Sequence, residues 1–379
     1  MLHLLSTAVY SRVYVYIPIG LYLFERLLRT LRYAYNNIRP GRATLIQLPG
    51  GVTKIVVSTR QVKSWSPGSF VLLSLPRFGL GQSHPATIAS IPSSHGGKLV
   101  FYMRAHHGFT SRVHANASVV SPQEASLGLP TRYLTLETFY LALMDGPYGG
   151  KQLDFPCYSS VLLIAGSTGV TFTLPILLDL AFRAQKQKLP VRDVTFIWAI
   201  KTSACAAWIG DELRSASDEL LKAGIEFKVR FFVTGNEEFI EESPYGGEAI
   251  WGSSAETCHC EGECSCISNS PEIARRPESK ILQLIEEIET HLFHKEAVDE
   301  KWKDQPPSCG RKREILTLKT GRPDVREIVK ERQGKMEGRG ELGVAVCGPV
   351  GLIAETSRVV AHLQGKGAGI YLHAEGFGG

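Results

Sequence analysis

The sequence predicts an α/β protein with a β-barrel in front: an antiparallel barrel over residues 41–157, then a parallel-sheet domain over 158–379, both preceded by a helix within residues 1–40. Three observations carry this. Between Arg42 and Gly150, short β-branched runs (ATLIQLP, TKIVVST, SFVLLSLP, KLVFYMRA) are separated at short intervals by Gly, Pro and Ser, the pattern of a small antiparallel barrel. From Val161 onward apolar strands alternate with helical stretches, a βαβ order that implies a parallel sheet. Finally, Val161 to Leu178 (VLLIAGSTGVTFTLPILL) reads as a buried strand entering a glycine turn and then a helix.

The N-terminal helix comes first. Val13 to Leu31 opens with twelve uncharged residues and ends among Arg26, Arg29 and Arg32. A membrane span needs about 20 apolar residues, so the stretch is expected to span from near Arg12, with Glu25 and Arg26 in the headgroups. Its basic C-terminal flank then places the following domains in the cytosol, with the plasma membrane as the expected location. The competing reading is an amphipathic helix lying on the membrane or on the next domain, since Leu27, Leu28, Leu31 and Tyr35 follow a helical spacing. No cleavable signal-peptide pattern is present.

Within the barrel region lie His84-Pro85-Ala86-Thr87, then Gly108-Phe109-Thr110-Ser111, then Gly146-Pro147-Tyr148-Gly149-Gly150. Each also serves as turn chemistry. His84, His106, His107 and His114 have no carboxylate or cysteine at ligand spacing, so no metal site is expected there.

In the α/β half the strand-like runs are 161–164, 194–200, 226–233 and 343–349, with helices over 208–222 and up to Leu363. Residues 235–316 interrupt this order with charged runs and prolines, and read as a partly disordered insertion. Gly166 and Gly169 let the chain bend sharply, and the amides of the next helix would face an anion. The spacing is not the full G-x-G-x-x-G, so anion cradle and plain scaffold both stand at this stage. Inside the insertion, Cys258, Cys260, Cys264 and Cys266 could hold a thiophilic metal, pair as disulfides or stay free; no metal ligand is assigned.

Composition excludes several classes. A net charge of +5 spread over 379 residues, without a basic stripe interleaved with aromatics, argues against nucleic acid as a partner. Eight cysteines, four of them bunched, do not form a secreted disulfide scaffold and point to a reducing compartment.

Taken in order, these segments resemble the ferredoxin-reductase-type flavoproteins, and more closely the cytosolic part of the fungal ferric-chelate reductase and NADPH oxidase family. The resemblance implies that His84, Pro85 and Thr87 hold the flavin of FAD, with Thr87 at the isoalloxazine edge. It implies that Gly108, Thr110 and Ser111 contact the FAD diphosphate, and that Gly146, Tyr148 and Gly149 form the glycine loop between the domains. Gly166, Ser167, Thr168, Gly169, Val170 and Thr171 stand where the family binds the phosphates of the nicotinamide dinucleotide. Lys201 and Arg322 stand near the adenosine phosphate, which implies NADPH. Cys347, Gly348 and Pro349 form the nicotinamide-side turn, with the Cys347 thiol beside the hydride path, and Phe377 is the candidate for the aromatic that covers the flavin.

Three positions depart from the family pattern. Ala86 replaces an aromatic, Ser167 stands where a second glycine is common, and the chain ends in Gly378-Gly379. The expected function is an FAD-dependent NADPH oxidoreductase passing hydride to FAD and electrons towards ferric iron, in iron transport. Complete family members also carry haem between transmembrane helices; with His3 as a lone candidate, haem is not expected in this chain, which reads as truncated at the N-terminus. The alternatives are a superoxide-producing NADPH oxidase fragment and, from another class, an inactive membrane-bound regulator or metal-binding module.

Overall fold

In the first domain β1 (Gly41–Leu48) and β2 (Val52–Ser58) form a hairpin whose turn takes Gly50 and Gly51 at φ 76° and 69°, angles that suit glycine. β3 (Phe70–Ser74), β4 (His84–Thr87), β5 (Leu99–Arg104), the short helix α2 (Phe109–Ala115), β6 (Ser118–Val119) and β7 (Tyr140–Tyr148) follow. These assignments come from a computed structural model, which describes residues 12–119, 138–150, 154–235, 316–335 and 340–376. The sheet runs β4-β3-β7-β1-β2-β5, antiparallel along this path, with β6 beside β1. Its inner face buries Ala43, Leu45, Ile55, Val71, Leu73, Leu99, Phe101 and Met144.

Among the described residues the strand ladders do not close the expected barrel. β4 and β5, at the two ends of the path, share no ladder, although just beyond β4 the Ala89 amide donates to the Val100 carbonyl at 2.8 Å. β4 has only four residues, and Pro85 among them has no N–H to give, which confines such a strand to an edge.

The second domain is a parallel sheet of β8 (Ser160–Gly166), β9 (Asp193–Ile200), β10 (Glu226–Val233), β11 (Leu316–Thr320), β12 (Leu342–Gly348) and β13 (Ile370–Gly376), in the order β11-β10-β9-β8-β12-β13. Helices α3 (Val170–Lys186) and α4 (Gly210–Lys222) share one core with Val161, Leu163 and Ala165 of β8, while α5 (Val325–Gly334) and α6 (Val350–Gln364) share the opposite core with Leu162 and Ile164. Cover on both faces is why β8 reads as an unbroken apolar run. Strands added after β8 go to one side until β12 takes the other, so the order reverses between β8 and β12. That topological switch point opens a crevice at the carboxyl ends of the strands.

The two domains share a core: Val52, Ala89, Ile91, Val100 and Tyr102 pack with the α3 and α4 side of the parallel sheet. Polar contacts fix the seam. Glu212 on α4 accepts from Lys54 at 2.9 Å and pairs with His95 at 3.0 Å, Tyr102 donates to the Trp208 carbonyl at 3.1 Å, and Trp208 Nε1 donates to the Pro49 carbonyl at 3.0 Å. Burial works to raise the Glu212 pKa, but the His95 hydrogen bond and the Lys54 charge prevail and hold it at about 2.

The N-terminal helix α1 (Arg12–Asn37) is present, but the expected membrane span is not: among the described residues no helix is long and apolar enough to cross a membrane. The uncharged run Val13 to Phe24 is twelve residues, about 18 Å of helix at 1.5 Å per residue, against a hydrocarbon core of about 30 Å. The end of α1 docks on β7 instead. Asn37 and the backbone of Met144 exchange two hydrogen bonds of 2.9 Å, and Arg32 donates to the Pro147 carbonyl at 2.7 Å. His3, Phe377, the cysteine cluster and nearly all of the expected insertion lie outside the described residues.

Candidate active site

At the switch point two turns meet backbone to backbone. A Cβ added to Gly166 would lie 2.7 Å from Pro349 Cδ, one on Gly348 would lie 3.0 Å from the Gly166 Cα, and one on Gly169 would strike the Cys347 carbonyl. Only glycine lets the β8 and β12 turns approach this closely. Between them Ser167 takes φ 53°, the left-handed region, at the position where the sequence reading expects a second glycine. Its carbonyl accepts from Trp198 Nε1 at 2.8 Å, which anchors the turn to β9. Strain held in place by surrounding contacts is typical of ligand-binding turns.

The residues named for the nicotinamide nucleotide divide into two groups. Gly166, Ser167, Thr168 and Gly169 form the turn, whereas Val170 and Thr171 are buried in the packing of α3, and Thr171 donates to the Thr168 carbonyl at 2.9 Å. Those two can offer only backbone amides at the helix start. Lys201, after β9, and Arg322, after β11, are both exposed at the carboxyl edge, flanking the end of β10.

Cys347, the penultimate residue of β12, is 2% exposed, so its thiol is packed rather than open. Burial, and then Glu375, push its pKa to about 12, and the group is a neutral thiol at physiological pH. Glu375 lies directly across from Cys347 in the β12–β13 register and pairs with His373 at 3.1 Å, while the His373 ring stacks on Phe172 with centroids 5.4 Å apart. The sequence reading missed Glu375, because nothing local signals which residue of β13 falls opposite Cys347.

On the first domain, Thr87 of β4 lies across from Phe70 of β3, which lies across from Tyr148 of β7. Phe70 was also missed; a single aromatic at a strand start carries no motif. His84 stacks on Phe109 with centroids 4.3 Å apart at 16°, and burial lowers its pKa, so it braces the start of α2 as a neutral ring. Gly108 precedes α2 at φ 79° with open space where a Cβ would stand, and the Thr110 hydroxyl accepts from the His106 amide at 2.8 Å. Ser111 and Pro85 are exposed, whereas Ala86 is 7% exposed and belongs to the sheet core. Ser69 donates to the Gly149 carbonyl at 3.1 Å, which holds the Gly146–Gly150 loop against β3. β5 touches both β4 and the Ser167–Gly169 turn, so one strand links the two candidate half-sites. The glycine-lined crevice at the switch point lies where open α/β sheets hold their ligands.

Comparison with known proteins agrees. Residues 38–152 match the family described as FAD-binding domain, and residues 158–361 match the ferric reductase NAD binding domain. A probable cell surface ferric reductase kap2 of Aspergillus oryzae is 30% identical over 198 residues, covering 50% of this chain and 24% of the relative. A ferric/cupric reductase transmembrane component 2 of Schizosaccharomyces pombe is 28% identical over 284 residues, covering 64% and 48%. Dual oxidase 2 of Rattus norvegicus is 25% identical over 207 residues, covering 54% and 13%. The chain therefore spans at most about half the length of these relatives. Among solved structures, a ferredoxin NADP+ reductase from Neisseria gonorrhoeae with bound FAD and NADP superposes with a TM-score of 0.46 at 11% identity, covering 88% of this chain and 97% of that one. With the NAD-binding match alone covering more than half of its length, the chain belongs to the ferric reductase family, with an FAD-binding domain followed by a nicotinamide-nucleotide-binding domain.

Proposed function

We propose that the chain is the reductase half of a ferric-chelate reductase, taking hydride from NADPH and passing electrons towards ferric iron. The observation that carries this is the strand shared by the two half-sites: β5 touches both the Ser167–Gly169 turn at the switch point and the strand of Thr87. FAD, when bound, supplies the conversion of a two-electron donor into single-electron steps. The chain's own residues hold and orient. Gly108, Thr110 and Ser111 receive the FAD diphosphate, and Thr87 meets the isoalloxazine edge. Gly166, Ser167, Gly169 and Gly348 shape the dinucleotide crevice, and Lys201 with Arg322 receives the 2′-phosphate. Cys347 stays packed behind the nicotinamide-side turn, and with its pKa held at about 12 it neither takes nor gives a proton near neutrality.

Attachment to a membrane is part of this proposal. The exposed apolar side chains of α1, among them Leu23, Leu27 and Leu31, support contact with a bilayer surface or with neighbouring membrane helices, with the two cofactor domains on the cytosolic side. The dual oxidase similarity supports a second reading in which the electrons go to dioxygen.

The test is anaerobic flavin reduction by NADPH in the purified, FAD-loaded full chain, followed by addition of a ferric chelate or of oxygen. Rapid bleaching of the flavin absorbance and reoxidation by the ferric chelate are expected. Reoxidation by oxygen alone would select the oxidase reading, and a chain that takes up no FAD would overturn both.

A further inference from the structure

Phe70 of β3 is an exposed ring whose register partners are Thr87 and Tyr148, on the face of the sheet opposite the buried Ala86. We propose that Phe70 supplies an aromatic surface for the flavin, and that the isoalloxazine of FAD lies against Phe70 and Tyr148. This inference rests on the FAD reading above.

The register places Thr87, Phe70 and Tyr148 in one row across β4, β3 and β7. Neighbouring strands are about 4.8 Å apart, so the row is about 10 Å long, enough to underlie a fused three-ring system. The Thr87 end of the row lies on the strand that adjoins β5 and, through it, the nucleotide turn, while the Tyr148 end faces α1. A ring seated along the row would reach from the hydride side to the α1 side.

Phe70 is not needed to close the core. It is 38% exposed, whereas Val71 and Leu73 on the same strand are fully buried. Its ring meets Tyr148 with centroids 5.8 Å apart at 41°, and its edge would stand 3.8 Å from a Cβ on Gly149. Opposite, Leu21, Phe24 and Leu28 of α1 line, with Phe70, Leu72 and Tyr148, an open cavity of about 660 Å³. That volume lies within the range of about 300–1,000 Å³ seen for small-molecule sites, which are lined mainly by apolar and aromatic side chains. The polar groups at the cavity are Glu25, Arg29 and Arg32, and Arg32 stands 4.9 Å over the Tyr148 ring.

The experiment titrates the full-length apoprotein with FAD and follows quenching of flavin fluorescence, in wild type, Phe70→Leu and Phe70→Trp, with thermal melting as a check on folding. Leucine keeps the apolar bulk and loses the ring; tryptophan keeps a ring. Phe70→Leu is expected to bind FAD about five- to tenfold more weakly and to quench it less, and Phe70→Trp to restore both. Should the leucine variant melt early, Phe70→Met serves in its place. A ring-less variant that binds and quenches within twofold of wild type, while wild type binds FAD, overturns the role of Phe70 and leaves the FAD reading intact. Wild type that binds no FAD overturns both.

Discussion

Arg29 on α1 reaches the carboxylate of Asp145 near the end of β7 at 3.2 Å, joining residues 116 positions apart. Asp145 is 6% exposed and also accepts from the Tyr148 hydroxyl, so one buried carboxylate ties the N-terminal helix to the loop beside the candidate flavin surface. Removing that acceptor leaves the tyrosine hydroxyl without its charged partner. Asp145→Ala is expected to destabilise the first domain by about 1–3 kcal/mol and Tyr148→Phe by less. Urea unfolding of the two variants checks this, and equal midpoints with wild type would remove the network from the account.

The domain seam carries a pH signature. The Glu212 pKa is held at about 2, below its ordinary 4.5, so the unfolded chain binds the extra proton first and stability is lost as pH falls from 4.5 towards 2. The gap between 4.5 and about 2 corresponds to about 3 kcal/mol, fully present above pH 4.5. Glu212→Gln should flatten that part of the acid unfolding profile. It should leave the profile above pH 5 parallel to wild type, as read by tryptophan fluorescence.

Nucleotide choice is read at the carboxyl edge. A 2′-phosphate carries nearly two negative charges near neutrality, and cations must offset its loss of water. Lys201 and Arg322 are exposed there on either side of β10. Hydrogen bonds to charged groups are worth roughly 1.5–3 kcal/mol, so Lys201→Ala should weaken NADPH by about one to two orders of magnitude and leave NADH nearly unchanged. Flavin reduction kinetics with each nucleotide measure the difference. Equal loss with both would make Lys201 a structural residue.

The crevice depends on glycine. A Cβ on Gly169 would run into the backbone carbonyl of Cys347, which cannot move aside as a flexible side chain would. Gly169→Ala is expected to destabilise the second domain by about 2 kcal/mol or more, as overpacking does, and to lower affinity for both nucleotides. At Ser167, φ 53° favours glycine, so Ser167→Gly should melt no lower than wild type. Thermal melting of the pair, one falling and one holding, is the measurement.

Accessibility separates the thiols. Cys157 is exposed, whereas Cys347 is buried with its pKa raised to about 12. Iodoacetamide at pH 8 should label Cys157 and spare Cys347 in the native protein, as read by peptide mass. Labelling of Cys347 at a comparable rate would mean that the crevice opens more widely than its packing indicates.

Local pattern alone determined the two-domain order, the strand–turn–helix at Val161–Leu178 and the glycine positions. These follow from side-chain period, from full apolarity where both faces of a sheet are covered, and from backbone angles that few residues tolerate. Its reading of Val13–Leu31 as a span weighed apolarity over too few residues; the charges from Glu25 onward end the apolar run, and Arg29 and Arg32 find partners on β7. For the expected barrel, the ladders among the described residues end at an edge strand carrying Pro85. Only the tertiary structure decided which residues face one another across strands: Phe70 beside Thr87 and Tyr148, Glu375 opposite Cys347, and Glu212 between Lys54 and His95. Such pairs lie far apart in the chain. A shift of one residue in register would send each side chain to the opposite face, so their meeting is fixed by how sheets and domains pack and not by any local run of residues.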